Sequence, residues 1–327
     1  MKKLIAIVAG GDSSEMEVSL KSAEGIRSFI DKERYLPYLV IIRCSEWFVE
    51  LPGKGRSAVN KNDFSFRQNG VTRHFDLAYI TIHGTPGEDG TLQGYFDLIG
   101  LPYSGCGTLA SAISHNKFVC NSFLRSFGIG VAPSVRIRKG ESYNRAEIIK
   151  QLGLPLFVKP AGGGSSFGVA KVKDPAQFDE AVAKAFDESN EVIAEQNITG
   201  TEVTCGCYKT RSRELALPVT EVLSNNEIFD YDAKYNGQSQ EITPARIPQD
   251  AARQVQQTTS RIYDLIGAKG LIRIDYIINS EGRPIALDVN TTPGMTPASF
   301  IPQQAQAAGL SMTTILTEII ENELSNQ

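Results

Sequence analysis

Acidic and amide side chains alternate with apolar ones in residues 271–296, LIRIDYIINSEGRPIALDVNTTPGMT. This alternation predicts a β-hairpin, in which Gly282 supplies the positive φ that a tight turn needs. If Glu281 and Gly282 form a two-residue loop, four polar residues share one side of the hairpin in two opposed pairs: Asp275 with Asp288, and Arg273 with Asn290. The apolar residues expected on the other side are Ile272, Ile274, Leu287 and Val289.

The opposed aspartates indicate a metal site. Two carboxylates with Cβ atoms about 5 Å apart repel each other unless a cation lies between them. Asp275, Asp288 and Asn290 offer two carboxylates and an amide oxygen, a ligand set that Mg²⁺ or Mn²⁺ accepts together with water and nucleotide phosphate. A solvated strand face is the alternative. The turn-forming residues 291–296 would direct backbone donors to the same side as the carboxylates.

A glycine-rich segment at residues 154–172, LPLFVKPAGGGSSFGVAKV, is typical of a loop between two strands. No Gly-Lys-Ser/Thr ends the loop and no helix follows it, so neither the P-loop nor the dinucleotide fingerprint applies. A hairpin lid over nucleotide phosphates fits the pattern. Lys159 interrupts a buried-looking strand and therefore needs an anionic partner, such as a phosphate. Lys117 would supply a second ammonium from a domain junction.

The elements that would position these groups begin with a buried strand at residues 3–9, which is too short to be a typical signal sequence. Gly10-Gly11 then opens a loop before a helix from about residue 17. Further strands are expected at 35–42 and 75–82, which would continue an alternating α/β pattern. Another strand is expected at 192–195, and helical segments at 250–265 and 305–324. The strand at 75–82 ends in HGTPGEDGTLQG, a glycine-rich loop at a strand's carboxyl end, where sites occur.

Composition sets the class of protein. The 327 residues are 41% hydrophobic and 21% charged, as in a soluble globular protein with two or three domains. A net charge of -4 offers no basic face to nucleic acid or an anionic membrane. No run approaches the roughly 20 apolar residues of a membrane span. Five cysteines without a CxxC pair indicate a reduced, cytosolic protein without a zinc site. The polar residues 224–248 suggest a lid or a disordered segment.

Taken together, these segments resemble the ATP-grasp superfamily, and within it the D-alanine–D-alanine ligases, over nearly the whole chain. The motifs occur in order as Gly10-Gly11 with Ser14-Glu15 and EVSLKS, HGTPGEDGTLQG, VKPAGGGSSFGV, YDAKY, RIDY and DVNTTPGMT. The resemblance implies an α/β and α+β fold. A Rossmann-like (pre-ATP-grasp) domain at 1–115 would precede a two-part ATP-grasp fold, with a central subdomain carrying the glycine-rich lid at 116–210. The carboxy-terminal subdomain, with an omega-type lid loop and the metal hairpin, would span 211–327.

The resemblance also implies a reaction, in which one D-alanine attacks the γ-phosphate of ATP through its carboxylate, and a second D-alanine displaces phosphate from the acyl phosphate. The implied product is the D-alanyl-D-alanine of peptidoglycan synthesis, and the implied cofactors are ATP and two Mg²⁺ or Mn²⁺ ions. A cytoplasmic homodimer without nucleic-acid or membrane partners is expected. The alternatives are a D-alanine–D-hydroxy acid (or other D-amino acid) ligase and an inactive nucleotide-binding regulator. Tyr235, retained in YDAKY, is associated in this family with an amine acceptor.

Site residues carry over by the same resemblance. Those implied at the substrates, including a Glu-Ser-Tyr triad and an oxyanion site, are Glu15, Ser165, Tyr235, Arg273, Gly294 and Ser299. Those implied at the nucleotide are Lys117, Lys159, Glu195, Ile198, Glu202 and Lys234. The implied metal ligands are Asp275, Asp288 and Asn290.

The chain departs from the family pattern at three places. His115-Asn116-Lys117 stands where Met-Asp-Lys is usual, and residues 161–164 are richer in glycine than most lids. Asp288 stands where the bridging metal ligand is usually glutamate. Because aspartate is one methylene shorter, its carboxylate reaches about 1.5 Å less far. We therefore expect one well-held ion and one weaker ion at the hairpin.

Overall fold

The computed structural model describes residues 2–53, 55–164, 167–224 and 239–325. In these ranges the strands form three β-sheets, which occupy successive parts of the chain. The mixed α/β and α+β fold expected from the sequence is confirmed. None of the helices in these ranges has both the length and the apolar character needed to cross a membrane.

The first sheet has the strand order β6-β5-β4-β3-β2-β1-β7. Its strands are β1 (Lys3–Gly10), β2 (Tyr35–Arg43), β3 (Glu46–Leu51), β4 (Gly55–Asn60), β5 (Ser65–Gln68), β6 (Val71–Arg73) and β7 (Leu77–Ile80). Strands β2 and β7 run parallel to β1 on either side, whereas β3 to β6 extend the sheet as antiparallel strands. The continuing α/β alternation expected between residues 35 and 82 is therefore wrong, because the described residues between β2 and β7 contain strands and no helix.

Strand β1 is buried on both faces, as its continuous apolar run predicts. On one face Ile5 and Ile7 pack in a cluster with residues of helices α1 (Met16–Phe29) and α9 (Met312–Leu324). On the other face Ala6 and Val8 pack in a cluster with residues of α2 (Thr91–Ile99). This packing fixes the carboxyl end of β1, from which the loop to α1 departs.

The second sheet is antiparallel, with the order β10-β9-β11-β8. Its strands are β8 (Ser134–Arg138), β9 (Leu156–Pro160), β10 (Ala170–Val172) and β11 (Glu191–Gln196). The chain reaches it through α3 (Thr108–His115) and α4 (Lys117–Ser126), and apolar residues of α5 (Arg145–Leu152) and α6 (Phe178–Ala185) share its core. A 3₁₀ turn covers Pro175–Gln177. Strands β9 and β10 form the predicted hairpin around the glycine-rich loop.

The third sheet has the order β15-β14-β12-β16-β17, and β13 also pairs with β12. Its strands are β12 (Thr201–Lys209), β13 (Glu214–Ala216), β14 (Thr220–Ser224), β15 (Ser239–Ile242), β16 (Leu271–Ile278) and β17 (Pro284–Asn290). The helical segments predicted at 250–265 and 305–324 correspond to α7 (Gln249–Leu265), and to α8 (Phe300–Ala307) followed by α9. Strand β12 belongs to this sheet although it lies in the range 116–210 expected for the central subdomain, and the domain boundaries remain a prediction.

Candidate active site

The acidic pair lies where the hairpin pattern predicts it. The strand partners nearest the pair are Arg273 with Asn290, Ile274 with Val289, and Asp275 with Asp288. Ile274 and Val289 are buried in the core beneath the sheet. The polar partners therefore share the opposite side, which faces the cleft between the sheets.

The turn and the placement of one residue differ from the prediction. Ile278 pairs with Pro284, so the turn holds five residues rather than two. A β-bulge then shifts the register next to the acidic pair, with Leu287 as the extra residue. Leu287 lines the cleft, and its predicted place on the core side is wrong. Without the bulge the register of the turn would put Leu287 opposite Asp275 and turn Asp288 toward the core.

Each aspartate of the pair has a cationic partner. Arg273 donates from Nε to Oδ1 of Asp275 at 2.9 Å and from Nη2 to Oδ2 at 3.0 Å, and Thr204 Oγ1 donates to the same Oδ1 at 2.6 Å. Lys117 Nζ lies 3.2 Å from Oδ1 of Asp288. These side chains offset the repulsion between the carboxylates. The repulsion alone therefore does not require a divalent ion at this pair, and the metal site stays a prediction.

Two adjoining cavities open between the sheets. The larger measures about 890 Å³, and the smaller about 320 Å³. Pockets of this size are typical of small-molecule sites. Among the described residues, six line both cavities and so mark where they meet: Glu15, His115, Lys117, Gly163, Gly164 and Asp288.

The larger cavity contains the described residues that were predicted at the nucleotide, namely Lys117, Lys159, Glu195, Ile198 and Glu202. The anionic partner that the sequence requires for Lys159 is Glu195, since Nζ lies 2.6 Å from its Oε2. The other oxygen of Glu195 accepts from Nδ2 of Asn121 at 3.0 Å. This chain of contacts joins the second sheet to α4 along the wall of the cavity.

Lys117 also holds the base of the glycine-rich loop. Its backbone N–H donates to the carbonyl of Ala161 at 2.7 Å, and its Nζ donates to the carbonyl of Gly163 at 2.8 Å. Burial disfavours the ammonium, yet the carboxylates of Asp288, Glu88 and Glu15 raise the pKa of Lys117. The side chain is therefore a cation at neutral pH, placed where the two cavities meet.

The smaller cavity contains the described residues that were predicted at the amino-acid substrates: Glu15, Arg273, Gly294 and Ser299. Ser299 precedes α8, and its hydroxyl does not cap that helix but contacts Oγ1 of Thr296 at 2.9 Å. The amino end of α8 thus faces the cavity with a hydroxyl beside it. Such a helix end favours a negatively charged group.

The donor set at the hairpin fits a hard divalent ion. Asp275 lines the larger cavity, Asn290 the smaller one, and Asp288 both. No group of three or more His, Cys, Asp and Glu residues is placed to hold a metal in the described part of the chain. The amide of Asn290 is therefore needed as a third ligand, and its Oδ1 is oriented by the N–H of Thr292 at 3.0 Å.

Sequence reasoning singled out the loop HGTPGEDGTLQG but chose no residue in it. His83 Nε2 lies 3.2 Å from Oγ of Ser22, and burial together with Arg273 lowers the pKa of His83 to about 4. Glu88 accepts from the N–H of Gly84 at 2.8 Å, and burial and Glu15 raise its pKa to about 8. Both line the smaller cavity. A histidine and an acid in a glycine-rich loop at a strand end were the available signal.

One further residue at the site was not predicted, and three predicted residues cannot be compared with the structure. Glu241 on β15 was not predicted, yet it lines the smaller cavity, and burial raises its pKa. Ser165, Lys234 and Tyr235 lie outside the described residues. Their implied roles stay predictions from the sequence.

Comparisons with known proteins cover the whole chain. The family models described as D-ala D-ala ligase N-terminus and C-terminus match residues 4–106 and 123–321. The chain is 61% identical over 327 residues to the D-alanine–D-alanine ligase of Parabacteroides distasonis, which covers 100% of this chain and 99% of the relative. Among solved structures, a D-Ala:D-Ser ligase from Enterococcus faecalis has 32% sequence identity to this chain and a TM-score of 0.86. The match covers 99% of this chain and 100% of the ligase. The D-alanine–D-alanine ligase from Bacillus anthracis complexed with ATP has 29% sequence identity to this chain and a TM-score of 0.78. The match covers 99% of this chain and 98% of that ligase.

Proposed function

The chain belongs to the D-alanine–D-alanine ligase family of ATP-grasp enzymes, and we propose from this that its two cavities join two D-alanines at the expense of ATP. The product would be the D-alanyl-D-alanine of peptidoglycan synthesis. One observation carries the proposal, namely that Glu15, Lys117 and Asp288 line both cavities. Phosphoryl transfer to a carboxylate requires that the nucleotide and amino-acid sites meet.

ATP is assigned to the larger cavity. Glu195 and neighbouring backbone would lie near the adenine, and Glu202 at the ribose. Lys117 and Lys159 would face the phosphates, and the glycine-rich loop would cover them. A polyanionic nucleotide approached by a carboxylate must be neutralised, which explains why ammonium groups line this cavity. The ATP complex of the Bacillus anthracis enzyme supports nucleotide use by this fold.

Asp275, Asp288 and Asn290 would hold Mg²⁺ or Mn²⁺, and two ions are expected. When bound, such ions neutralise charge on the transferring phosphoryl group. The placement of Asp288 on both cavities supports a bridging role for its carboxylate. Arg273 and Lys117, which pair with the two aspartates, also line the smaller cavity.

The two D-alanines are assigned to the smaller cavity. Glu15 would bind the ammonium of the first, whose carboxylate attacks the γ-phosphate to form an acyl phosphate. The amine of the second then attacks the acyl carbon, and phosphate leaves. Arg273 and the N–H of Gly294 would stabilise the oxyanion formed in this step. The hydroxyl of Ser299 at the amino end of α8 would hold the second carboxylate.

The test is release of ADP and phosphate from ATP and Mg²⁺ with D-alanine, D-serine or D-lactate, with products identified by mass spectrometry. We expect turnover with D-alanine alone and D-alanyl-D-alanine as the product. D-Serine is included because the Enterococcus faecalis neighbour is a D-Ala:D-Ser ligase. A preference for D-serine or D-lactate would favour the alternative acceptors, and ATP binding without turnover on D-alanine would favour the inactive regulator.

Assembly and location complete the proposal. Leu98 on α2 and Leu109 on α3 are 89% and 72% exposed, and a second copy of the chain would cover these apolar side chains in a homodimer. Sedimentation of the wild type and of Leu98→Lys tests this, and a monomeric wild type would contradict it. The supply of ATP and the five free cysteines support a cytoplasmic location. No role for nucleic acid or a membrane is proposed.

A further inference from the structure

His115, the last residue of α3, is the side chain at the meeting point of the cavities that the proposed ligation leaves without a role. Three of the other shared lining residues, Glu15, Lys117 and Asp288, already have one. The remaining two are glycines of the lid. A phosphoryl group that passes from ATP to D-alanine must cross the boundary that these residues form.

The ring of His115 is placed against the base of the glycine-rich loop. A Cβ built on Gly162 would lie 3.0 Å from Nε2 of His115, so the absence of a side chain there leaves room for the ring. Its ring nitrogens have no hydrogen-bond partner in the described ranges, although the residue is partly buried. A half-buried imidazole of this kind has an N–H to donate to a group that enters the cavity.

Burial and the charges around His115 favour its neutral form. Burial and the ammonium of Lys117 lower the pKa of His115, and the carboxylates of Asp89, Asp288 and Glu15 oppose that shift. The imidazole therefore presents one N–H donor and one acceptor nitrogen. Only the donor suits an anionic oxygen.

We propose that His115 donates a hydrogen bond to the phosphoryl group that is transferred from the nucleotide to the first substrate. The inference rests on the proposed function, because that reaction puts the phosphoryl group at the boundary of the cavities. Lys117, two residues away, would neutralise the same group from α4. Where the family usually has methionine, this chain thus has a second donor at the reacting centre.

The experiment compares His115→Met, which keeps bulk but has no donor, with His115→Gln, which restores an N–H. The matched control is His74→Met, since His74 is exposed in the first domain. Binding of ADP and of a non-hydrolysable ATP analogue, each with Mg²⁺, is measured by calorimetry. We expect His115→Met to lower the affinity for the analogue about tenfold or more and to change the affinity for ADP by no more than about twofold. Only the analogue carries the terminal phosphate, so only its complex loses a hydrogen bond to a charged group. His115→Gln should recover much of the loss.

The outcomes separate this inference from the proposed function. Turnover of D-alanine by the wild type tests the ligase itself and does not depend on His115. If the wild type turns over D-alanine and His115→Met binds the analogue as tightly as His74→Met does, the inference is overturned and the ligase stands. If His115→Met weakens ADP and the analogue equally, His115 only supports the loop, and the inference is overturned as well.

Discussion

Replacing Lys159 by methionine tests the ion pair that lines the larger cavity. Lys159 Nζ lies 2.6 Å from Oε2 of Glu195, and the two side chains are only 12% and 5% exposed. Methionine keeps the apolar stem of the lysine but leaves the carboxylate of Glu195 buried without its cation. Removing one partner of a buried pair costs about 3–5 kcal/mol. We expect a loss of this order in the stability of the second sheet.

A second substitution separates stability from nucleotide binding. Glu195→Gln added to Lys159→Met replaces the charged pair by neutral groups of similar shape, and the new amide oxygen still accepts from Asn121. Replacing both members of such a pair is often close to neutral. The double variant should therefore recover most of the lost stability. Its affinity for ATP should stay low, because the ammonium proposed to face the phosphates is still missing and Glu195, proposed near the adenine, has lost its charge.

Thermal midpoints report the stability, hydrogen exchange of the amides in β9 and β11 locates the change, and calorimetry with ATP and Mg²⁺ gives the affinity. A double variant as unstable as Lys159→Met would show that the unpaired carboxylate is not the cause. Lys159→Met with wild-type affinity for ATP would refute the contact with the phosphates.

Three further predictions follow from other sites. Asp288→Ala should abolish D-alanine-dependent ADP release, and Asp288→Glu should lower the Mg²⁺ requirement; an alanine variant with wild-type Mg²⁺ dependence would contradict the metal assignment. Gly25→Ala should lower the thermal midpoint, because its Cβ would lie 2.0 Å from the carbonyl oxygen of Met295, whereas Gly94→Ala, also in a helix, meets nothing closer than 3.6 Å and should not. Burial lowers the pKa of His83 to about 4 in the folded protein, compared with 6.5 for an unperturbed histidine. As the pH falls, the unfolded chain therefore binds a proton before the folded protein does. The contribution of His83 to the free energy of unfolding is then full above pH 6.5 and is lost as the pH falls toward 4, with a loss of roughly 1.4 kcal/mol at pH 5.5. Urea denaturation at pH 7.5 and 5.5 should show that His83→Gln loses less stability between these pH values than the wild type does.

The hairpin shows which features of a site are predictable from a pattern of residues. Alternation assigns side chains to faces, so the opposition of Asp275 and Asp288 was predicted. The turn was not, because the side chain of Asn279 accepts from the N–H groups of Glu281 and Arg283, at 3.1 and 2.9 Å, and organises a longer loop. The bulge that corrects the register has no sequence signature of its own.

Other parts were unpredictable for different physical reasons. Strand β1 is a continuous apolar run and was predicted, whereas β6 is exposed at all three positions and has no apolar alternation to detect. The sequence required an anionic partner for Lys159 but did not identify Glu195, which lies 36 residues further along the chain. Contacts of this separation depend on how strands pair. The fold class followed from local patterns and resemblance, while the electrostatic partners required the structure.

The bulge at Leu287 acts as a frameshift in the side-chain phase of β17. Before it, Ala286 is a core residue, and after it Val289 is, so the inward positions change from even to odd numbers. The pairing next to the turn and the pairing at Asp275 and Asp288 are therefore set separately, one by the turn and the other by the bulge. A deletion that removes Leu287 alone should therefore remove the bulge and leave Asp288 directly after Ala286, opposite Asp275 and still facing the cleft.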